Sequence, residues 1–216
     1  MKKIYVGIFK ELTIKRKLDE ADTKAEKIIQ RAESKHDSIK QKKIQEAKEK
    51  GYDVLVMDYR TYGKSTGELS EAAFYKDAQF CYNYLLNHYT EDKITLYGRS
   101  LGTGIASYLA AENNPKQLIL ETPYYSIEDV AKSRFPMFPV KYLLKYKFPT
   151  HQFLPKANCL VTILHGTDDS VVPYSSSRKL LDLNIKNLNY VTIKGGNHNN
   201  LIEFEEYHKS IKSLLN

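Results

Sequence analysis

Ser100 stands between Gly98-Arg99 and Leu101-Gly102, behind the apolar run Ile94-Thr95-Leu96-Tyr97 and ahead of the small-residue stretch Gly104-Ile105-Ala106-Ser107-Tyr108-Leu109-Ala110-Ala111. A serine between two glycines on a sharp strand-to-helix turn has its hydroxyl exposed at the C-terminal edge of a sheet, and the glycines keep the turn clear of the neighbouring strand and helix. Such a hydroxyl becomes a nucleophile when a base takes its proton and a carboxylate orients that base. Two later segments offer those partners. Leu160-Val161-Thr162-Ile163-Leu164 reads as a buried strand and runs into His165-Gly166-Thr167-Asp168-Asp169-Ser170, an acidic turn. Tyr190-Val191-Thr192-Ile193-Lys194 reads as another strand and runs into Gly195-Gly196-Asn197-His198-Asn199-Asn200, a glycine-rich loop with one histidine. Each residue alone has a blander reading: Ser100 as a helix cap, Asp168 and Asp169 as turn formers, His198 as a loop residue. Three such residues in the order Ser, Asp, His, each just after a strand, point to acyl transfer. His165 reads as a residue that packs or hydrogen-bonds at a strand end rather than as a metal ligand.

The elements needed to position these residues alternate along the chain. From Gly51 onward strand and helix patterns follow one another, as in a mainly parallel sheet covered on both faces. Tyr52–Met57 reads as an apolar strand. Ser70 caps a helix reaching about Asn87, with Phe74, Ala78, Cys81 and Leu85 at helical spacing toward the sheet. Ile94–Tyr97 leads into Ser100, Gln117–Leu120 is the next strand, and Leu201, Phe204, Tyr207, Ile211 and Leu214 mark a closing amphipathic helix. Between them, residues 124–153 lose the alternation and become aromatic and proline-broken, a stretch too short for a large lid. Tyr124, Tyr125, Phe135 and Phe138 there either line an apolar acyl pocket or pack as core under a long connection.

With these motifs in view, the chain from about Gly51 to its C-terminus resembles the α/β-hydrolase family. Asp58-Tyr59-Arg60-Thr61-Tyr62-Gly63-Lys64-Ser65-Thr66-Gly67 looks like the family's loop after a strand, and within the family the chain is similar to small, nearly lidless serine hydrolases. The resemblance implies an α/β-hydrolase-like, mainly parallel sheet with helices on both faces. It also implies Ser100 as nucleophile, His198 as general base, and Asp169, the last residue of an H-G-x-x-D pattern beginning at His165, as the orienting acid with Asp168 as its rival. The main-chain N–H of Leu101 is the oxyanion donor that follows from the turn. The implied reaction is cleavage of carboxylic esters or thioesters, with a small or acylated substrate and no cofactor or metal.

The 216 residues carry a formal charge of +7, but unevenly. Residues 1–50 hold 15 Lys and Arg against 9 Asp and Glu, and the rest of the chain is close to neutral. The basic balance therefore belongs to the N-terminal segment, and its interspersed acids argue against a nucleic-acid partner. The two cysteines form no disulfide framework, both read as buried thiols, no run is long enough to span a membrane, and the expected location is cytoplasmic.

The first fifty residues depart from the family. No His-Gly motif precedes Gly51, although the family's loop there donates the second oxyanion N–H. Thr13–Lys50 is instead charged and helix-prone, as if the N-terminal strands were reduced or replaced. Either Ile4–Phe9 fills the central strand position and Lys10–Leu12 contribute an unusual oxyanion loop, or the family's N-terminal portion has been exchanged for unrelated sequence. A hydrolase-fold protein with impaired catalysis, acting by binding, is the alternative that this departure raises.

Overall fold

The computed structural model describes residues 37–60 and 65–215. The chain divides into two compact units, Met1–Val54 and Leu55–Asn216. In the first, residues 37–49 form a helix, α1. It ends at Gly51, whose φ of +80° suits the glycine-favoured left-handed region. There the Gly51 N–H donates to the Lys48 carbonyl at 2.9 Å and the Tyr52 N–H to the Ala47 carbonyl at 3.1 Å. This pair of bonds satisfies two carbonyls that a helix end otherwise leaves open. Ile4–Phe9 and Lys10–Leu12 lie outside the described residues.

The second unit is built on four parallel strands in the order β1-β2-β3-β4: Thr95–Arg99, Gln117–Glu121, Leu160–Gly166 and Leu188–Ile193. Adjacent parallel strands require a crossover. The first is α3, Gly102–Glu112, between β1 and β2. Ahead of β1 lies α2, Glu71–Leu86, where the Ser70 hydroxyl accepts the Ala73 N–H. That cap and its end at Asn87 match the sequence reading, and Tyr82, one turn after Ala78 and 1% exposed, joins the buried stripe. Cys159 is buried, whereas Cys81 is only half-buried.

Side chains alternate across the sheet. Leu96, Leu118, Leu120, Val161 and Ile163 face one way, into a core with Phe74, Ala78 and Tyr82 of α2 and Ile105, Ala106, Leu109 and Ala110 of α3. Ile119, Leu164 and Ile193 face the other way and pack against Leu201, Tyr207 and Ile211. Tyr207 and Ile211 belong to the closing helix, which is shorter than the sequence pattern suggests. Leu201–Glu203 is a separate 3-10 turn, and the α-helix, α8, runs from Glu205 to Leu214.

The strand expected at Tyr52–Met57 is absent from the described ladders, and Leu55 and Val56 are exposed. An apolar run supplies propensity, but a strand is defined by its partner. The neighbour that the sequence offers, Ile4–Phe9, is not among the described residues.

The aromatic stretch divides in two. It folds into three short helices, α4 (Ile127–Arg134), α5 (Val140–Leu143) and α6 (Thr150–Phe153). The last short α-helix, α7, is Tyr174–Arg178. Tyr124 and Phe148 are core residues, whereas Phe135, Phe138 and Tyr142 are exposed. The Glu71 carboxylate ties this region to α2 by accepting the N–H groups of Lys147 at 2.6 Å and Phe148 at 3.1 Å.

Candidate active site

The turn from β1 to α3 places Ser100 at φ 51°, a left-handed conformation that a non-glycine residue adopts at a cost of about 1–3 kcal/mol. Hydrogen bonds at both its N–H and its carbonyl hold it there. The Ser100 N–H donates to the Glu121 carbonyl at 3.0 Å, and the Ser100 carbonyl accepts the Thr103 N–H at 2.9 Å and the Thr103 hydroxyl at 2.6 Å. The flanking glycines differ in what they permit. A Cβ on Gly98 would lie 2.6 Å from the Gly102 carbonyl oxygen and 2.8 Å from the Ala106 Cβ, so only glycine lets α3 approach β1 this closely. A Cβ on Gly102 would meet the Tyr59 hydroxyl at 3.1 Å, a contact with the far end of a side chain. The Tyr59 hydroxyl is itself raised to about 12 by burial.

β3 and β4 end side by side and deliver the other two residues. Gly166 lies so close to the loop after β4 that an added Cβ would stand 2.1 Å from the Gly196 carbonyl oxygen. The same approach is held by the Asp168 N–H, which donates to Gly196 O at 2.9 Å, and by the Thr167 hydroxyl, which accepts the Gly195 N–H at 2.9 Å. These contacts bring His198 over the acidic turn.

His198 bridges the other two residues. Its Nδ1 lies 2.8 Å from Asp169 Oδ2 and its Nε2 lies 3.0 Å from Ser100 Oγ. A carboxylate only accepts, so Nδ1 carries the proton toward Asp169 and Nε2 is left to accept from the serine hydroxyl. Ser100, Asp169 and His198 are thus gathered in one place from three strand ends. Asp168 is not: it is turned to Thr167, whose hydroxyl donates to Asp168 Oδ1 at 2.7 Å.

The Asp169 side chain is fully buried and uses both oxygens. Oδ1 accepts the N–H groups of Val171 and Val172, each at 2.8 Å. Oδ2 faces His198 and also His165, whose Nε2 is 3.2 Å away. Burial by itself raises this carboxyl. The bonds from His165 and His198, with the Val172 N–H, outweigh it and hold the group well below the usual carboxylate range. His165 is a residue whose part in the site the sequence reading did not assign. It is wholly buried, its Nε2 is 3.1 Å from the Val172 carbonyl oxygen, and its Nδ1 has no hydrogen-bond partner. The single ring proton therefore belongs on Nε2, where the Val172 carbonyl and Asp169 accept it. Its place as the first residue of H-G-x-x-D was the signal available in the sequence.

The remaining sequence candidates are spread more widely. Leu101 directly precedes α3, and its carbonyl accepts the Tyr124 hydroxyl at 3.0 Å, which makes Tyr124 a brace under the turn. The half-buried Tyr125 ring stacks on His151 at 4.2 Å. Phe135 and Phe138 meet each other edge-on at the surface, 55% and 61% exposed. Arg134, at the end of α4, donates to the carbonyls of Ser170 at 2.6 Å and Val171 at 2.7 Å, so the aromatic region braces the turn that carries Asp169. In the loop resembling the family pattern, Arg60 grips Asp77 of α2 through Nε at 2.6 Å and Nη2 at 2.8 Å. Among the described residues, no cluster of three or more His, Cys, Asp or Glu is arranged to hold a metal ion, and no helix is long and apolar enough to cross a membrane.

Comparison with known proteins gives the same picture of the fold. A family model described as alpha/beta hydrolase fold matches residues 31–139, reaching back into the helical segment ahead of Gly51. An uncharacterized protein of Mycobacterium tuberculosis is 30% identical over 151 residues, covering 69% of this chain and 54% of its own length. The lysophosphatidylserine lipase ABHD12 of Danio rerio is 33% identical over 151 residues, covering 62% of this chain and 40% of its own. The chain thus spans about half the length of these relatives or less. Among solved structures, a monoacylglycerol lipase of Paleococcus ferrophilus superposes with a TM-score of 0.60 at 19% identity, covering 80% of this chain and 86% of that one. An esterase of Exiguobacterium antarcticum superposes with a TM-score of 0.53 at 22% identity, covering 73% and 79%. At these identities the structures speak for the fold alone. By its sequence match and its parallel sheet, the chain belongs to the α/β-hydrolase fold family.

Proposed function

We propose that this protein is a serine hydrolase that cleaves carboxylic esters or thioesters through an acyl-enzyme on Ser100. One observation carries the reading: a single imidazole, His198, meets the Ser100 hydroxyl with one nitrogen and the buried Asp169 carboxylate with the other. In the proposed reaction Ser100 Oγ attacks the acyl carbonyl and its proton passes to His198 Nε2. The imidazolium then protonates the departing alkoxide or thiolate as the C–O or C–S bond breaks. Water repeats the sequence on the acyl-serine and returns the enzyme. Asp169, kept ionised, holds the ring in the tautomer that accepts the serine proton and stabilises the cation that forms. The Leu101 N–H is the proposed donor to the tetrahedral oxyanion. One such donor is worth about 2.7–4 kcal/mol of transition-state stabilisation.

The test is direct. A fluorophosphonate probe is expected to label the folded protein at Ser100, short p-nitrophenyl esters are expected to be turned over, and Ser100→Ala is expected to lose both. The name of the Danio rerio relative supports including a lysophospholipid among the substrates. A folded protein that neither labels nor turns over ester would overturn the reading in favour of a hydrolase fold used for binding.

A further inference from the structure

Arg99, the residue before the proposed nucleophile, pairs in register with Glu121 on β2. Register partners on parallel strands project from the same face, and Tyr97, two residues earlier, projects from it too. The three side chains meet there. Arg99 Nε donates to Glu121 Oε1 at 3.1 Å, and the Tyr97 hydroxyl donates to Glu121 Oε2 at 2.5 Å. The other end of the guanidinium reaches the loop after β4, where Nη2 donates to the His198 carbonyl at 2.5 Å and to Asn199 Oδ1 at 2.8 Å. The Arg99 and Glu121 side chains are only 13% and 4% exposed. The five guanidinium donors lie in one rigid plane, so fixing the Nε edge on Glu121 fixes where Nη2 points.

From this geometry we infer that Arg99 is a positioning residue, which clamps the main chain of His198 to the strand that carries Ser100 and so sets the spacing between base and nucleophile. The loop's other ties differ in direction. Gly195 and Gly196 are bonded to Thr167 and Asp168, on the acid's turn. Those bonds hold His198 to Asp169, and Arg99 holds it to β1. Glu121 and Tyr97 serve as the anchor that keeps the guanidinium in place. The catalytic consequence rests on the hydrolase reading above, but the clamp on the loop does not.

The experiment separates the two. Removing Arg99 alone leaves the Glu121 carboxylate buried without its cation, so the informative variants are Arg99→Lys, the double variant Arg99→Met with Glu121→Gln, and Glu121→Gln alone. Each is assayed on p-nitrophenyl butyrate, with sites counted by fluorophosphonate titration, and by hydrogen exchange of residues 194–200. Lysine can pair with Glu121 but cannot also hold the His198 carbonyl in the same plane. Since a displacement of about 1 Å costs on the order of a hundredfold in rate, kcat per site is expected to fall about 10-fold in Arg99→Lys and about 100-fold in the double variant, with KM within about 2-fold. Glu121→Gln keeps the guanidinium but weakens its anchor, so its kcat is expected to fall, by less than in the double variant. Exchange of residues 194–200 is expected to quicken in both Arg99 variants. Unchanged kcat per titrated site in the double variant, or a loss confined to KM, overturns the inference. If the parent protein is not labelled at all, the hydrolase reading fails separately. Exchange then decides the clamp, and equal protection of 194–200 in parent and double variant overturns it.

Discussion

Replacing Asp169 by Asn changes one atom's chemistry at the most constrained side chain of the site. Asp169 makes four polar contacts from a fully buried position: two main-chain N–H groups on Oδ1, and His198 and His165 on Oδ2. An asparagine keeps its carbonyl oxygen on Val171 and Val172 N–H by turning its NH2 toward the two histidines. His198 Nδ1 must then accept, which moves the ring proton to Nε2, the nitrogen that faces Ser100 Oγ at 3.0 Å. A base that already carries a proton there cannot take the serine's, and the expected loss in kcat is about 10⁴-fold. The second histidine adds a stability cost. His165 Nε2–H would oppose the new NH2, and shifting its proton to Nδ1 would leave the buried Val172 carbonyl without its donor. One orphaned buried acceptor costs about 1–3 kcal/mol. Asp168→Asn is the control, because Asp168 faces Thr167 rather than His198, and its kcat is expected to stay within about 2-fold of the parent, as for surface changes generally. The assay is steady-state ester hydrolysis normalised to titrated sites, with urea unfolding of each variant. An Asp169→Asn protein that keeps a tenth of parental kcat, or an Asp168→Asn protein equally impaired, would refute the assignment of the acid.

Three further outcomes follow from the same geometry. Gly166→Ala would drive a Cβ to 2.1 Å from Gly196 O and is expected to destabilise by about 1–3 kcal/mol or more in urea unfolding, whereas Gly102→Ala, opposed only by the Tyr59 hydroxyl at 3.1 Å, costs less. Ser100→Gly is expected to abolish fluorophosphonate labelling yet raise the unfolding free energy, by up to about 1–3 kcal/mol, because it releases a φ of 51°; a destabilised Ser100→Gly would show that the strain is smaller than the glycine chain entropy and the His198 bond given up. The depressed Asp169 carboxyl gives the protein a stability term that is full above the unfolded-state value of about 3.9 and is lost as pH falls toward the lower folded-state value. Stability should therefore rise with pH across that acid window, more steeply in the parent than in Asp169→Asn, as read from urea midpoints measured at each pH.

The sequence was informative wherever local chemistry determines local form. The β1 turn was legible because only a small set of residues tolerates it, and Gly98 shows why, with α3 lying against its Cα. The helix after Ser70 was legible from its cap and its stripe of Phe74 and Ala78. The four strands from β1 to β4 were legible as apolar runs bounded by turn residues. The triad candidates followed from their order after those strands.

Tertiary structure decided what depends on partners from distant parts of the chain. Residues 52–57 have the composition of a strand, yet composition does not supply the neighbour that would make them one. The aromatic stretch carried no signal for which rings would be core: Tyr124 packs into the apolar core with its hydroxyl satisfied by the Leu101 carbonyl, while Phe135 and Phe138 end on the surface. His165 looked like a strand-end residue, and only packing brought its Nε2 to the acid. In the sequence Arg99 is only the residue between Gly98 and Ser100, and it is the β1–β2 register, with the loop after β4 folded above it, that puts its guanidinium on the carbonyl of His198. Sequence specified residue types and the turns that expose them. The distances among Ser100, His198 and Asp169 were set by contacts between residues dozens of positions apart, which no local pattern encodes.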